Sequence, residues 1–244
     1  MASLRINDSF LASMERKLLG ELVRRLPAGA TPDHLTAIGL AGALLTAVGF
    51  VACRWSDAGL VPVVVGLFLN WFGDSLDGTL ARFRRIERQH YGFFIDHSAD
   101  LIAQTLIIVG LGLSPFFTIP SALLVLSLYL LMSSYTYLRV VTESVHRLSY
   151  GGMGATEFRI LVAAWALFAA ACGPGLISFE ICSFVGLDLI IGLLSAVTFI
   201  GFIGVVRNDL SRLRREEPLR EAPRAIAPAP EVILDHGLQR RLAQ

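Results

Sequence analysis

Six long runs of apolar residues, near 35–53, 58–81, 92–113, 117–138, 158–176 and 183–206, dominate the chain, and each approaches the ~20 residues that carry a helix across a bilayer. Lipid cannot satisfy open backbone groups, so such runs must be helical. They are continuous and do not alternate, which excludes a transmembrane barrel. Ahead of them, Leu11, Met14, Leu18, Leu19, Leu22 and Leu26 recur at helical spacing with Arg16, Lys17, Glu21 and Arg24 between. That pattern predicts an amphipathic helix lying in the membrane interface, and it is too charged for a signal peptide. After the last run, Pro218, Pro223, Pro228 and Pro230 stand among charges and alanines and predict a disordered tail. The expected fold class is all-α: an interfacial helix within 1–30, a six-helix transmembrane catalytic domain over 31–210, and a tail over 211–244.

Composition strengthens this picture, because a chain that is 54% hydrophobic and 17% charged has lipid as its main solvent. No nucleic-acid partner is expected. Charge then sets the orientation. With the amino terminus in the cytoplasm, Arg54 alone of the 21 Lys and Arg residues falls on the far side. The bias of basic residues toward cytoplasmic loops therefore places both termini, and the junction of the second and third runs, at the cytoplasmic face. Cys53, Cys172 and Cys182 lack the paired spacing of a zinc or redox site and read as small core residues, with no disulfide expected.

One stretch breaks the apolar pattern. Asp74, Asp77, Asp96 and Asp100 sit where membrane helices should be apolar, and carboxylates there are rare and tied to a cavity, a metal or a partner. Asp74, Asp77, Gly78, Ala81 and Arg82 stand at i, i+3, i+4, i+7 and i+8, on one stripe of the second span. Gly92, Asp96 and Asp100 repeat this at i, i+4 and i+8 on the third. A short Arg-rich link makes the two spans antiparallel neighbours, so the four acids converge. Four acids so close need a compensating charge. Oxygen-only ligands select Mg²⁺ or Mn²⁺ over zinc, and two such ions can clamp a phosphate diester or pyrophosphate. Gly78 and Ala81 let something approach the helix closely, and Arg82, one turn below the Asp pair, can grip a phosphate oxygen in a fork that Lys does not reproduce.

The string Asp74-x2-Asp77-Gly78-x2-Ala81-Arg82-x9-Gly92-x3-Asp96-x3-Asp100 resembles the signature of the CDP-alcohol phosphotransferases, integral membrane enzymes that make phospholipid head-group linkages. The resemblance implies a six-helix homodimer with a cytoplasm-facing polar cavity. It implies that Asp74, Asp77 and Asp96 hold metal ions, with Asp100 completing the cluster and acting as general base. It also implies that Gly78, Ala81 and Arg82 flank the CDP moiety, Arg82 on its phosphates. The acceptor hydroxyl, deprotonated by Asp100, would attack the β-phosphorus of a CDP-alcohol and CMP would leave, with no covalent enzyme intermediate.

Two further stretches carry weaker likenesses. Pro32-Asp33-His34-Leu35-Thr36 is similar to the family's Pro-Asn-x-Leu-Thr element, with Asp33 in place of Asn. Asp33 and Thr36 are thus candidate nucleotide contacts, Thr36 the better, while Thr31 or Asp33 can equally be a helix cap with Pro32 in the first turn. Gly151 to Arg159 resembles the Gly-rich Thr-Glu stretch of choline and ethanolamine phosphotransferases, and His97 after Asp96 is similar to the same branch. His97 is a candidate catalytic base beside Asp96 and Asp100, or an interhelical hydrogen bond. Glu157 also suits a helix start through the helix dipole.

Arg139 and Arg159 could bind an anionic acceptor, as in family members that use a phosphorylated polyol, although basic residues at cytoplasmic helix ends are what topology alone asks for. Arg84, Arg85 and Arg88 read as anchors to anionic head groups. A carboxylate-lined cation transporter is the alternative from another class, but Arg82 in a cation path would be counterproductive and no pair of broken segments marks an inverted repeat. An inactive scaffold would not need the intact acids. The expected donor is CDP-diacylglycerol, passing a phosphatidyl group to a small alcohol or its phosphate. The alternative is a small CDP-alcohol donating to diacylglycerol.

Overall fold

The computed structural model describes residues 4–6, 11–143, 145–147, 154–173, 179–181 and 184–217. Cys182, the glycines at 151–153 and the tail from 218 onward lie outside them. Seven helices make up the described chain: α1 (Ala12–Arg25), α2 (Pro32–Ala52), α3 (Leu60–Arg84), α4 (Gln89–Gly112), α5 (Ile119–Glu143), α6 (Ala155–Cys172) and α7 (Gly186–Glu216). Helices α2 to α7 are long and apolar enough to cross a membrane, as the six runs predict. Two short strand pairs, Leu4–Ile6 with Val145–Arg147 and Glu180–Ile181 with Phe184–Val185, do not change the all-α class. The chain divides into two compact units, Met1–Phe202 and Ile203–Gln244, and everything argued below lies in the first.

Helix starts and stops follow local chemistry. Thr31 Oγ1 accepts the His34 N–H at 3.2 Å and Pro32 occupies the first turn, where its missing N–H costs nothing, so Thr31 and not Asp33 caps α2. Helix α3 ends on Arg85 in the left-handed region (φ 57°), and Ile86 N–H reaches back to Ala81 O at 3.0 Å. This tight stop lets the chain turn into α4 within four residues.

Packing departs from the simple hairpin expected for the acid-bearing helices. Helix α2 is the shared partner of both α3 and α4, and α3 and α4 themselves meet over little of their length. The reason is the glycine content of α2 and α3. A Cβ at Gly73 would lie 2.3 Å from Leu35 O and 2.4 Å from Gly39 N, and one at Gly66 would lie 2.4 Å from Thr46 Oγ1. With backbones this close, small residues take the place that ridges of large side chains fill elsewhere. Replacing Gly73 with Ala is therefore expected to push α2 off α3 and destabilise the protein by at least about 1–3 kcal/mol, read as a lowered thermal midpoint in detergent.

The main apolar core lies away from the acids, with Phe50, Val63, Ile107, Ile108, Phe116, Val162 and Ala166 buried together. A smaller cluster of Val23, Leu35, Leu76 and Leu80 seats α1 against α2 and α3 at the acid end. A helix thus forms at α1, and one stripe of it faces protein. Cys53 is buried, as a small core residue should be, whereas Cys172 is exposed, and both are free. At the opposite end from the acids, Asp188 of α7 accepts from the Thr118 hydroxyl and, at 2.5 Å, from Ser121 Oγ.

Candidate functional site

Asp74 and Asp77 of α3 and Asp96 and Asp100 of α4 line a single small pocket, closed by Thr36 and Gly39 of α2, Asn70 of α3, and the apolar Leu40, Ala99 and Ala103. The four acids converge as their spacing predicts, with α2 supplying the wall between their two helices. Asp77 is buried and held from two sides: Thr36 Oγ1 lies 2.7 Å from its Oδ2, and the Gly78 N–H donates to Oδ1 at 2.5 Å. Thr36 was a candidate nucleotide contact; here its hydroxyl orients an acid of the pocket.

Arg159, at the start of α6, enters the same site. Its Nη2 donates to Asp74 Oδ2 at 2.7 Å and its Nε to Asn70 Oδ1 at 2.7 Å, while Asn70 Nδ2 donates to Gly39 O at 3.0 Å. A buried guanidinium whose hydrogen bonds fix both it and an acid is more than the topology of a cytoplasmic helix end requires. Arg139, at the end of α5, is buried as well.

One guanidinium against four carboxylates leaves a local excess of negative charge in a poorly solvated site, and the donors are oxygens. Asp96, His97 and Asp100 can each bring one ligand atom within 4.8 Å of the others. The His97 atom is a nitrogen, so it is the four carboxylates that fit a hard divalent cation.

Several sequence candidates receive other surroundings. His97 is buried, stacked on Tyr137 of α5 (centroids 4.4 Å apart, 19° between planes) and tilted against Phe93 at 4.1 Å, with Nδ1 3.3 Å from Asp96 Oδ2. The interhelical contact is an aromatic stack, and it holds the ring beside Asp96. Asp33 does not line the acid pocket: Arg88 Nη2 bonds it at 2.6 and 2.8 Å and Tyr91 OH at 3.3 Å, tying the start of α2 to the start of α4. Arg84 donates to the carbonyls of Pro27, Ala28 and Ala30, so it fastens the α1–α2 link. These two arginines are engaged by protein and not left to head groups.

Arg82 is exposed beside the pocket, with Nη2 3.2 Å from Thr79 Oγ1, and a Cβ at Gly78 would lie 3.2 Å from Arg82 Nη1. The close approach that Gly78 permits is thus that of the Arg82 guanidinium itself. Ala81 is half-buried, and a Cβ at Gly92 would meet nothing within 4 Å. Glu157 caps α6, its Oε2 accepting the Gly154 N–H at 3.0 Å.

A family model described as CDP-alcohol phosphatidyltransferase matches residues 30–201. The chain is 27% identical over 182 residues to cholinephosphotransferase 1 of Gallus gallus, covering 70% of this chain and 52% of that protein. It is 32% identical over 148 residues to phosphatidylinositol phosphate synthase of Cutibacterium acnes, covering 58% of this chain and 68% of that protein. A match to cholinephosphotransferase 1 of Xenopus laevis is 27% identical over 195 residues and covers 75% of this chain and 45% of that protein. The chain thus spans about half the length of the cholinephosphotransferases it matches.

Proposed function

Because the chain belongs to the CDP-alcohol phosphatidyltransferase family, we propose that it is an integral, multi-pass membrane enzyme of phospholipid biosynthesis that transfers a phosphatidyl group from CDP-diacylglycerol to an anionic alcohol, releasing CMP. The observation that carries this reading is the convergence of Asp74, Asp77, Asp96 and Asp100 on one pocket with the buried Arg159 bonded into it.

Position and the family resemblance support the following roles. Asp74, Asp77, Asp96 and Asp100 would hold Mg²⁺ or Mn²⁺, two ions in all, whose chemistry is to neutralise the donor's pyrophosphate and the charge that builds on the departing CMP. Arg82 sits exposed at the pocket's edge with a planar fork suited to a phosphate, and Gly78 leaves room for that fork beside the helix. Gly78 and Ala81 border the path of the CDP moiety. Asp100 accepts the proton of the acceptor hydroxyl as that oxygen attacks the β-phosphorus. Arg159, braced by Asn70, presents its charge to the acceptor's own phosphate. Leu40, Ala99 and Ala103 make the pocket floor apolar and limit water as a competing nucleophile.

Buried arginines favour an anionic acceptor over the neutral hydroxyl of diacylglycerol. The choline-type transfer from a small CDP-alcohol to diacylglycerol is the second reading, favoured by the two cholinephosphotransferase relatives, while Glu157, Thr156 and His97 all have local partners in the fold, a cap on α6, a bond to α1 and a stack on Tyr137. Orientation stays as the basic residues indicate, with the termini and the pocket cytoplasmic, and the assembly as the resemblance implies, a homodimer. Purified protein given radiolabelled CDP-diacylglycerol, an alcohol phosphate and Mn²⁺ should release CMP, and chelation should stop it. A protein that releases none from any CDP-linked donor, yet moves cations across a vesicle, would be the transporter instead.

A further inference from the structure

Glu15 lies on α1, outside the acid pocket, and its carboxylate gathers donors from two other helices. Oε1 accepts from Trp71 Nε1 at 2.7 Å and Ser75 Oγ at 3.2 Å, both on α3, and from Thr156 Oγ1 at 2.7 Å on α6. A second bond joins the same two elements, because Leu11 N–H, just ahead of α1, donates to Glu157 Oε1 at 3.0 Å. Hydrogen bonds to a carboxylate are roughly twice as strong as neutral ones, so one side chain here holds two helices at once.

The donors stand next to the working residues of the site. Trp71 follows Asn70 and Ser75 follows Asp74 on α3, while Thr156 precedes Arg159 by three residues, nearly one turn of α6. Asn70 and Asp74 are the two groups that Arg159 bonds. Glu15 therefore ties α3 to α6 alongside the contact that sets where the Arg159 guanidinium lies. An amphipathic helix resting on a membrane surface needs no such carboxylate on its inner face.

We propose that Glu15 is a positioning residue: by clasping α6 to α3 through Thr156, Ser75 and Trp71, it holds Arg159 where the acceptor's anionic group is met. The proposal rests on the anionic-acceptor reading above. A small misplacement of a charged fork weakens capture of the acceptor, while the donor, which Asp77, Asp96, Asp100 and Arg82 also hold, is little affected.

The test uses the full chain in nanodiscs and compares Glu15→Ala, Glu15→Gln and Thr156→Val, with Asp188→Asn as a control at the opposite end. Amide exchange and the KM values for donor and acceptor are measured on each. Glu15→Ala should speed exchange in the first turn of α6 and raise the acceptor KM about tenfold with the donor KM unchanged. Thr156→Val should act in the same direction, and the double variant should fall short of the sum of the two. Glu15→Gln, which keeps an accepting oxygen, should restore most of the acceptor affinity. Asp188→Asn should loosen α5 and α7 without moving the acceptor KM. Unchanged exchange in α6 overturns the clasp. Faster exchange with an unchanged acceptor KM, or equal losses for donor and acceptor, overturns the positioning role. If Glu15→Ala does not fold, Thr156→Val and Glu15→Gln decide by the same measures. A wild-type protein that releases no CMP sinks the acceptor reading, and exchange in α6 still judges the clasp.

Discussion

Replacing Asp100 with asparagine is expected to cut CMP release by about three orders of magnitude or more while the bundle stays folded. The substitution keeps the size of the side chain and one accepting oxygen, but it removes both the proton acceptor and one unit of charge from a pocket in which Asp74, Asp77 and Asp96 also converge. The core of Phe50, Val63, Ile107 and Ile108 lies elsewhere, so thermal unfolding should move little or even upward, since one member of a like-charged group has gone. Asp96→Asn should be as severe. The measurement is radiolabelled CMP release at saturating donor, set beside the melting curve of the same preparation. Activity retained within about tenfold would remove Asp100 from the role of base.

The second large effect is expected at Arg159. Arg159→Lys keeps the charge and loses the fork that bonds Asp74 and Asn70 at once, and Arg159→Met loses both. A hydrogen bond to a charged group contributes about 1.5–3 kcal/mol, so the lysine variant should lose about 10- to 100-fold in kcat/KM toward an alcohol phosphate. The methionine variant should lose more, and it should also melt earlier, because Asp74 is left without its partner. Turnover with a neutral alcohol, if there is any, should fall far less. Equal losses for charged and neutral acceptors would mean that Arg159 serves only to orient Asp74.

Much of this arrangement is legible in the chain itself, and the reasons differ from residue to residue. The spans are legible because a bilayer demands about 20 apolar residues in a row. The acids are legible because a carboxylate in lipid is costly and their helical spacing admits few arrangements. What packs between them is not. Helix α2 is apolar along most of its length and has no polar stripe to announce which side meets α3, so its place as partner of both α3 and α4 emerges only when Gly39, Gly66 and Gly73 are brought backbone to backbone.

Arg159 hides for a related reason. Basic residues at cytoplasmic helix ends are common, and nothing local separates one that faces head groups from one that turns inward to Asp74. Asn70, one turn before Asp74 on the same face of α3, was the available signal: a buried amide in a membrane span asks for a partner. Glu15 is harder still, since an acid among Arg16, Lys17 and Glu21 reads as part of a solvated face. The partners of Asp33 are not legible either, because Arg88 and Tyr91 come beside its carboxylate only once α4 begins. Gly78 has a neighbour that spacing does not announce, since a Cβ there would lie 3.2 Å from Arg82 Nη1.

Which molecules the acids and Arg159 join is read most directly from the lipid product. Purified wild-type protein is given, in separate reactions with Mn²⁺, CDP-diacylglycerol with a panel of alcohols and alcohol phosphates, and water-soluble CDP-alcohols with diacylglycerol, and the lipid products are weighed by mass spectrometry. The expected product is a new phospholipid carrying the acceptor's phosphate, formed only from CDP-diacylglycerol and lost in Asp100→Asn. Product formed only from the water-soluble CDP-alcohols and diacylglycerol would contradict that expectation.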